Sequence, residues 1–257
     1  MLFITGDNHG SFYRYTKDNF WEQKEMTKKD TVIVCGDFGG IWYRRDNREK
    51  FKKENKKLDE LDSRSFTTVF VPGNHENYQR LMSDEFPVNE WNGGLVKEIR
   101  PSILMLMRGE MYDIEGKKVF AFGGASSHDI DDGILDYNDP NWKRKARQLR
   151  SNGKNNYRVR NLSWWPEELP SEEEKQHGIA TLEKHNWKCD FVITHEGPAS
   201  DVILLSNGVF RPDDFSKWLE KIRGKLDYKH WFFGHYHEEK NINMKEHVVY
   251  HQIERIV

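Results

Sequence analysis

Short apolar runs ending in Gly, His or Asp recur along the chain: Leu2 to Thr5, Thr31 to Cys35, Thr67 to Val71, Lys118 to Phe122, Asp190 to Thr194 and His230 to Phe233. Such runs, bounded by turn-forming residues, predict buried strands. Charged segments with helical spacing lie between several of them. In Asp46 to Asp62 the residues Phe51, Leu58 and Leu61 form one apolar stripe, and Phe215, Trp218, Leu219, Ile222 and Leu226 form another. Ser171 and Glu174 make a capping box that opens a further helix carrying Ile179 and Leu182. Strands alternating with helices predict an α/β fold, while Ser102 to Gly116 and Val248 to Val257 read as adjacent strands and add antiparallel or mixed pairing.

Composition narrows the class. With 257 residues, 36% of them hydrophobic, and 15 Phe, 10 Tyr and 9 Trp, the chain can build a sizeable core without staples. Lys plus Arg total 40 against 42 Asp plus Glu, so the formal charge of -2 does not by itself mark a nucleic-acid or membrane-surface protein. The two cysteines, Cys35 and Cys189, sit in strand-like runs and read as buried free thiols. The sequence shows no membrane-length apolar stretch and no signal peptide, so the expected location is the cytoplasm.

No repeat or low-complexity linker divides the chain, which reads as one domain over 1–257 with a single compositional break at about 141–161. That stretch carries Lys143, Arg144, Lys145, Arg147, Arg150, Lys154, Arg158 and Arg160 with no acidic residue, and reads as a basic insertion or lid. Its cations, Arg144, Arg147, Arg150 and Arg160, together with the stacking surface of Trp164, are the expected substrate contacts, since clustered cations attract phosphates and tryptophans stack on bases. A solvated basic helix and core-packed tryptophans explain the same residues equally well.

The candidate chemistry lies just after the predicted strands, where loops of an α/β sheet converge. Five segments stand there: Asp7-Asn8-His9, Gly36-Asp37, Gly73-Asn74-His75-Glu76, Thr194-His195 and Gly234-His235-Tyr236-His237. Carboxylate, amide and imidazole donors without thiolate suit Mn²⁺, Fe or Zn²⁺ rather than a structural thiolate site. The other histidines, His128, His177, His185, His230, His247 and His251, are isolated and read as surface or core residues.

In order and spacing these segments resemble the signature of the calcineurin-like metallophosphoesterase superfamily: Asp-x-His, Gly-Asp, Gly-Asn-His-Asp/Glu, His, and Gly-His-x-His. The resemblance implies a four-layer sandwich of two mixed β-sheets flanked by helices. It implies two divalent metal ions, most commonly Mn²⁺, one held by Asp7, His9, Asp37 and His237 and the other by Asp37, Asn74, His195 and His235. It further implies phosphoester hydrolysis by a metal-bridging hydroxide, with His75 as acid or electrostatic catalyst.

The second block continues here as Phe38-Gly39-Gly40-Ile41, not as the Asp-Arg-Gly of phosphoprotein phosphatases and diadenosine polyphosphate hydrolases. That departure argues against those two substrate classes and leaves the acidic partner of His75 open, with Asp46 a candidate. Gly123 to Asp129 and Ser163 to Glu168 resemble segments of bacterial and phage-encoded phosphoesterases. The expected substrate is a phosphomonoester or phosphodiester, a nucleotide-type diester being favoured. A nuclease acting on single-stranded nucleic acid and a non-catalytic scaffold are the alternatives.

Overall fold

The computed structural model describes residues 1–257. Its strands and helices follow the apolar runs closely: β1 (Leu2–Thr5), β2 (Thr31–Val34), α1 (Arg48–Asp62), β3 (Thr67–Phe70), α2 (Tyr78–Leu81), β4 (Val88–Trp91), β5 (Gly94–Arg100), β6 (Ile103–Leu106), β7 (Glu110–Ile114) and β8 (Lys117–Phe122) make up the first half. The second half holds β9 (Ile134–Asp136), α3 (Trp142–Ser151), β10 (Arg158–Arg160), α4 (Glu172–Lys184), β11 (Phe191–Thr194), α5 (Ala199–Leu205), α6 (Asp214–Arg223), β12 (His230–Phe233), β13 (Lys240–Asn241), β14 (Glu246–Val248) and β15 (Glu254–Arg255).

The strands form two large sheets, of order β15-β1-β2-β3-β6-β5-β4 and β13-β14-β12-β11-β8-β7, plus a two-stranded ribbon of β9 and β10. The central strands of both sheets are parallel, β1-β2-β3-β6 in one and β14-β12-β11-β8 in the other, with antiparallel strands at the edges. Period-two alternation sets which side chains meet. Leu2, Ile4, Ile33, Cys35 and Val69 of the first sheet pack on Val119, Ala121, Ile193 and Phe232 of the second. Phe3, Val32 and Val34 point the other way, onto Leu58 and Leu61 of α1. Phe120, Phe122 and Val192 face Leu182 of α4 and Phe215, Leu219 and Ile222 of α6. The result is the four-layer α/β sandwich.

The two segments expected to hold adjacent strands divide them between the sheets. β6 lies in the first sheet and β7 in the second; β14 lies in the second and β15 in the first. Between β6 and β7 the chain turns at Gly109, whose φ is +83° and where a Cβ would come within 2.8 Å of the Gly178 backbone, so a side chain there would stop α4 from docking. Ser171 and Glu174 form the expected capping box at the start of α4. No helix is long and apolar enough to cross a membrane.

Candidate metal centre

The parallel strands of both sheets run out at one edge of the sandwich, and the chain turns there with its polar residues. β1 leads to Asp7 and His9, β2 to Asp37, β3 to Asn74 and His75, β11 to His195, and β12 to His235 and His237. The turns are tight enough to place four of these residues at positive φ: His9 at 47°, Asp37 at 45°, His235 at 70° and His237 at 53°. Backbone closeness requires the neighbouring Gly36, at φ +90°, where a Cβ would lie 2.1 Å from Nδ1 of His195.

Two carboxylates form the floor. Asp7 and Asp37 are both 1% exposed, which in apolar surroundings demands partners for their charge. Asp7 Oδ1 accepts from the backbone N–H of His235 at 3.1 Å, while its buried Oδ2 has no fitted hydrogen-bond donor and lies 3.1 Å from Nε2 of His237 and 3.7 Å from Nε2 of His9. Asp37 looks both ways. Its Oδ1 accepts from the backbone N–H of His75 at 2.7 Å and lies 3.2 Å from Nε2 of His195, and its Oδ2 lies 3.7 Å from Nδ1 of His9. Nδ1 of His195 lies 2.8 Å from the carbonyl of Cys35, a contact that places the Nδ1 proton there and turns Nε2 toward Asp37 and the amide oxygen of Asn74, 3.1 Å away.

Ligand-type atoms of Asp7, His9 and His237, of Asp7, Asp37 and His195, and of His9, Asp37 and His75 lie within 4.8 Å of one another in each group. Burial alone would raise the Asp37 carboxyl, yet His195, His75 and His9 hold it well below the usual carboxylate range. Burial opposes charge on His195 too, but Asp37 prevails and lifts it to about 10. His9 and His75 are pushed down, chiefly by burial. Nε2 atoms of His9 and His237 stand 2.9 Å apart. An orphaned carboxylate oxygen, facing imidazole nitrogens and an all-oxygen-and-nitrogen donor set fit divalent metal ions.

His235 packs on His195 with ring centroids 4.9 Å apart, and its Nε2 is 3.3 Å from Nε2 of His128. His128, read from sequence as an isolated histidine, therefore borders the centre, grouped with Glu196 and His235. Its position after β8, next to β11, was the available signal. The acidic partner of His75 also differs from expectation. Asp46 pairs with Arg44 at 3.1 Å on the surface, and the group that reaches His75 is Arg158, whose Nη2 is 3.1 Å from the imidazole Nε2. Asp129 grips that guanidinium through two contacts, at 2.8 and 2.6 Å. Trp42 stacks on His75, 6.2 Å between ring centroids.

The expected substrate contacts on the basic segment are placed elsewhere. Arg147 and Arg150 are exposed on α3 and bond to carbonyls of their own helix, those of Lys143 and Ala146. Arg160 lies over the ring of Trp164, 5.5 Å from its centroid. Two clefts open beside His9, one of about 440 Å³ and one of about 780 Å³, and Arg144, Arg147, Arg150, Arg160 and Trp164 line neither.

A mixed four-layer sandwich with carboxylates and imidazoles converging at the ends of its parallel strands defines a candidate divalent-metal centre on an α/β fold. The family model described as calcineurin-like phosphoesterase matches residues 2–239, and the chain belongs to that family. Comparison with curated proteins gives no match. Family membership makes the chain a metal-dependent phosphoester hydrolase using divalent metal ions and a phosphorylated substrate.

Proposed function

We propose that the chain hydrolyses a nucleotide-type phosphodiester at a dinuclear centre. Asp7, His9, Asp37 and His237 would hold one ion and Asp37, Asn74, His195 and His235 the other, with Mn²⁺ the first choice and Fe or Zn²⁺ compatible with the same donors. The observation that carries this reading is the carboxylate of Asp37, which turns one oxygen to His9 and the other to His195. Such ions supply a nucleophile at neutral pH and neutralise charge developing on the phosphoryl oxygens.

The protein's own residues do the rest. Backbone N–H groups of His75 and His235 fix the two aspartates, so the carboxylates are oriented before substrate arrives. His75, stacked on Trp42 and bonded to Arg158, lines the smaller cleft, where its imidazole would stabilise charge on the phosphoryl group or, once protonated, give its proton to the departing alkoxide. Arg158 gives that side of the site a fixed positive charge for a phosphoryl oxygen and positions the imidazole. Segment 141–161, which carries it, acts as the lid. A diester is favoured because two separate clefts open beside His9.

The test is turnover of p-nitrophenyl phosphate and bis-p-nitrophenyl phosphate with added Mn²⁺, beside Asp37→Asn and His75→Ala. Diester turnover abolished in Asp37→Asn is the expected result. Turnover of the monoester alone would overturn the diester reading.

A further inference from the structure

The two clefts that meet at His9 have different chemistry. The smaller is walled by α1, which turns Lys50, Lys53 and Lys57 toward it from one helical face, as their spacing of three and four residues requires. Its one acidic wall residue does not cancel them. Glu54 is buried with its carboxylate bonded to Arg80 and to the backbone N–H groups of Trp42 and Tyr43, at 2.7 and 2.8 Å for the latter two. Lys50 and Lys53 are exposed, Lys53 in a 2.7 Å surface pair with Glu49 that a phosphate would have to displace, and Lys57 donates to the carbonyl of Gly10 at 2.8 Å, next to His9. From Lys50 to Lys57 the helix rises roughly 10 Å, more than one phosphate group occupies.

The larger cleft shares His9 with the smaller and is aromatic rather than cationic. Tyr13 and Trp21 stand 73% and 61% exposed in its wall, with Tyr250 beside them. Its arginine, Arg14, is spent on the carbonyls of Gly6, Asp7 and Tyr250. A cationic track and a set of open aromatic faces, joined at the reacting centre, match the two things a single nucleic-acid strand offers: a repeating phosphate and unstacked bases.

We infer that the substrate is a single-stranded oligonucleotide laid across the centre, with phosphates along Lys50, Lys53 and Lys57 and a base against Tyr13 and Trp21. This rests on the phosphodiester reading above and moves the cationic contacts from α3 to α1.

The experiment compares kcat/KM for a short fluorescent oligothymidylate and for bis-p-nitrophenyl phosphate, in the full chain with Mn²⁺, for the parent, Lys50→Glu/Lys53→Glu, Tyr13→Ala/Trp21→Ala and the remote surface control Lys217→Glu. The oligonucleotide-to-diester ratio is expected to fall at least tenfold in each double variant and to hold in the control. The salt dependence of oligonucleotide binding should flatten by roughly 1.4 in log–log slope when the two lysines are reversed. An unchanged ratio in both double variants, or equal cleavage of the matching duplex, would overturn the inference. If bis-p-nitrophenyl phosphate is not cleaved, the diester reading fails on its own. Fluorescence anisotropy of the labelled strand on Asp37→Asn then decides the clefts separately: binding lost on adding Lys50→Glu/Lys53→Glu supports them, and binding unaltered overturns them.

Discussion

Asp37 and Arg158 both bring a full charge to His75, but the chain holds the two there by opposite means. Asp37 follows a strand buried in the middle of a parallel sheet, and its oxygens are set by a backbone N–H and by His195. Arg158 stands on a three-residue strand paired only with β9, and what aims it is Asp129, from the loop after β8. The first charge is fixed by the end of a buried strand and the second by one ion pair and a 3.3 Å bond to the carbonyl of Ser163. A site built this way has a floor that cannot move without unfolding and an arm whose contribution can be removed while the floor stays in place.

Breaking the floor should have the largest effect. Asp37→Asn should lower diester turnover by roughly a thousandfold or more, because several kcal/mol of charge stabilisation depends on the metals it would bridge. Metal analysis of the purified variant should show occupancy falling with activity.

The seam between floor and arm is next. Ser127 accepts from the amide of Asn74 at 3.4 Å and donates to Glu168 at 2.7 Å, so Glu168 ties the turn after Trp165 to a proposed ligand. Burial pushes the Glu168 carboxyl from its usual 4.5 up to about 7, against hydrogen bonds from Ser127. Between those values the folded chain binds more protons than the unfolded one, so this group makes stability fall as pH rises through the window, by about 3 kcal/mol once fully ionised. Denaturation midpoints at pH 5 and pH 8 should therefore differ less in Glu168→Gln than in the parent.

Arg158→Ala should cost roughly 10- to 100-fold in kcat, the range typical of residues that orient a site from behind, with metal content unchanged. Loss of metal in that variant would make arm and floor one unit and end the distinction. At the small end, Arg147→Ala on α3 should leave turnover within about twofold, as expected of an exposed side chain bonded to its own helix. Ser171→Ala should lower stability by about 1 kcal/mol through loss of the α4 cap, with kcat untouched.

The same division explains what could be read from sequence. Strand runs such as Leu2–Thr5 and His230–Phe233 were legible to the residue because each is buried on both faces and bounded by turn residues. Asp7 and Asp37 were legible as neighbours because strand ends of one parallel sheet share an edge, whereas His195 reaches them from the second sheet, whose parallel strands run out at the same edge of the sandwich. Arg158 was legible only as one cation among several in a basic stretch, because nothing local distinguishes it from Arg147; its ion pair spans 29 residues of sequence. His128 looked isolated for the same reason. The lysines of α1 were hidden by their helical spacing, which reads as a solvated face until the cleft beside it is known.

The family match ends at residue 239, yet the chain beyond it closes the first sheet. Glu254–Arg255 pairs antiparallel with β1, Gly6 donates to the carbonyl of Tyr250, and the Tyr250 ring stacks on His237 at 4.6 Å. Leu2, Phe3 and Ile4, all within 1% of full burial, would become an open, apolar strand edge if that tail were cut away. Unprotected edges of this kind recruit other chains. A version of the protein trimmed to its matched residues should accordingly fail first by aggregating, before any defect in its chemistry could be observed.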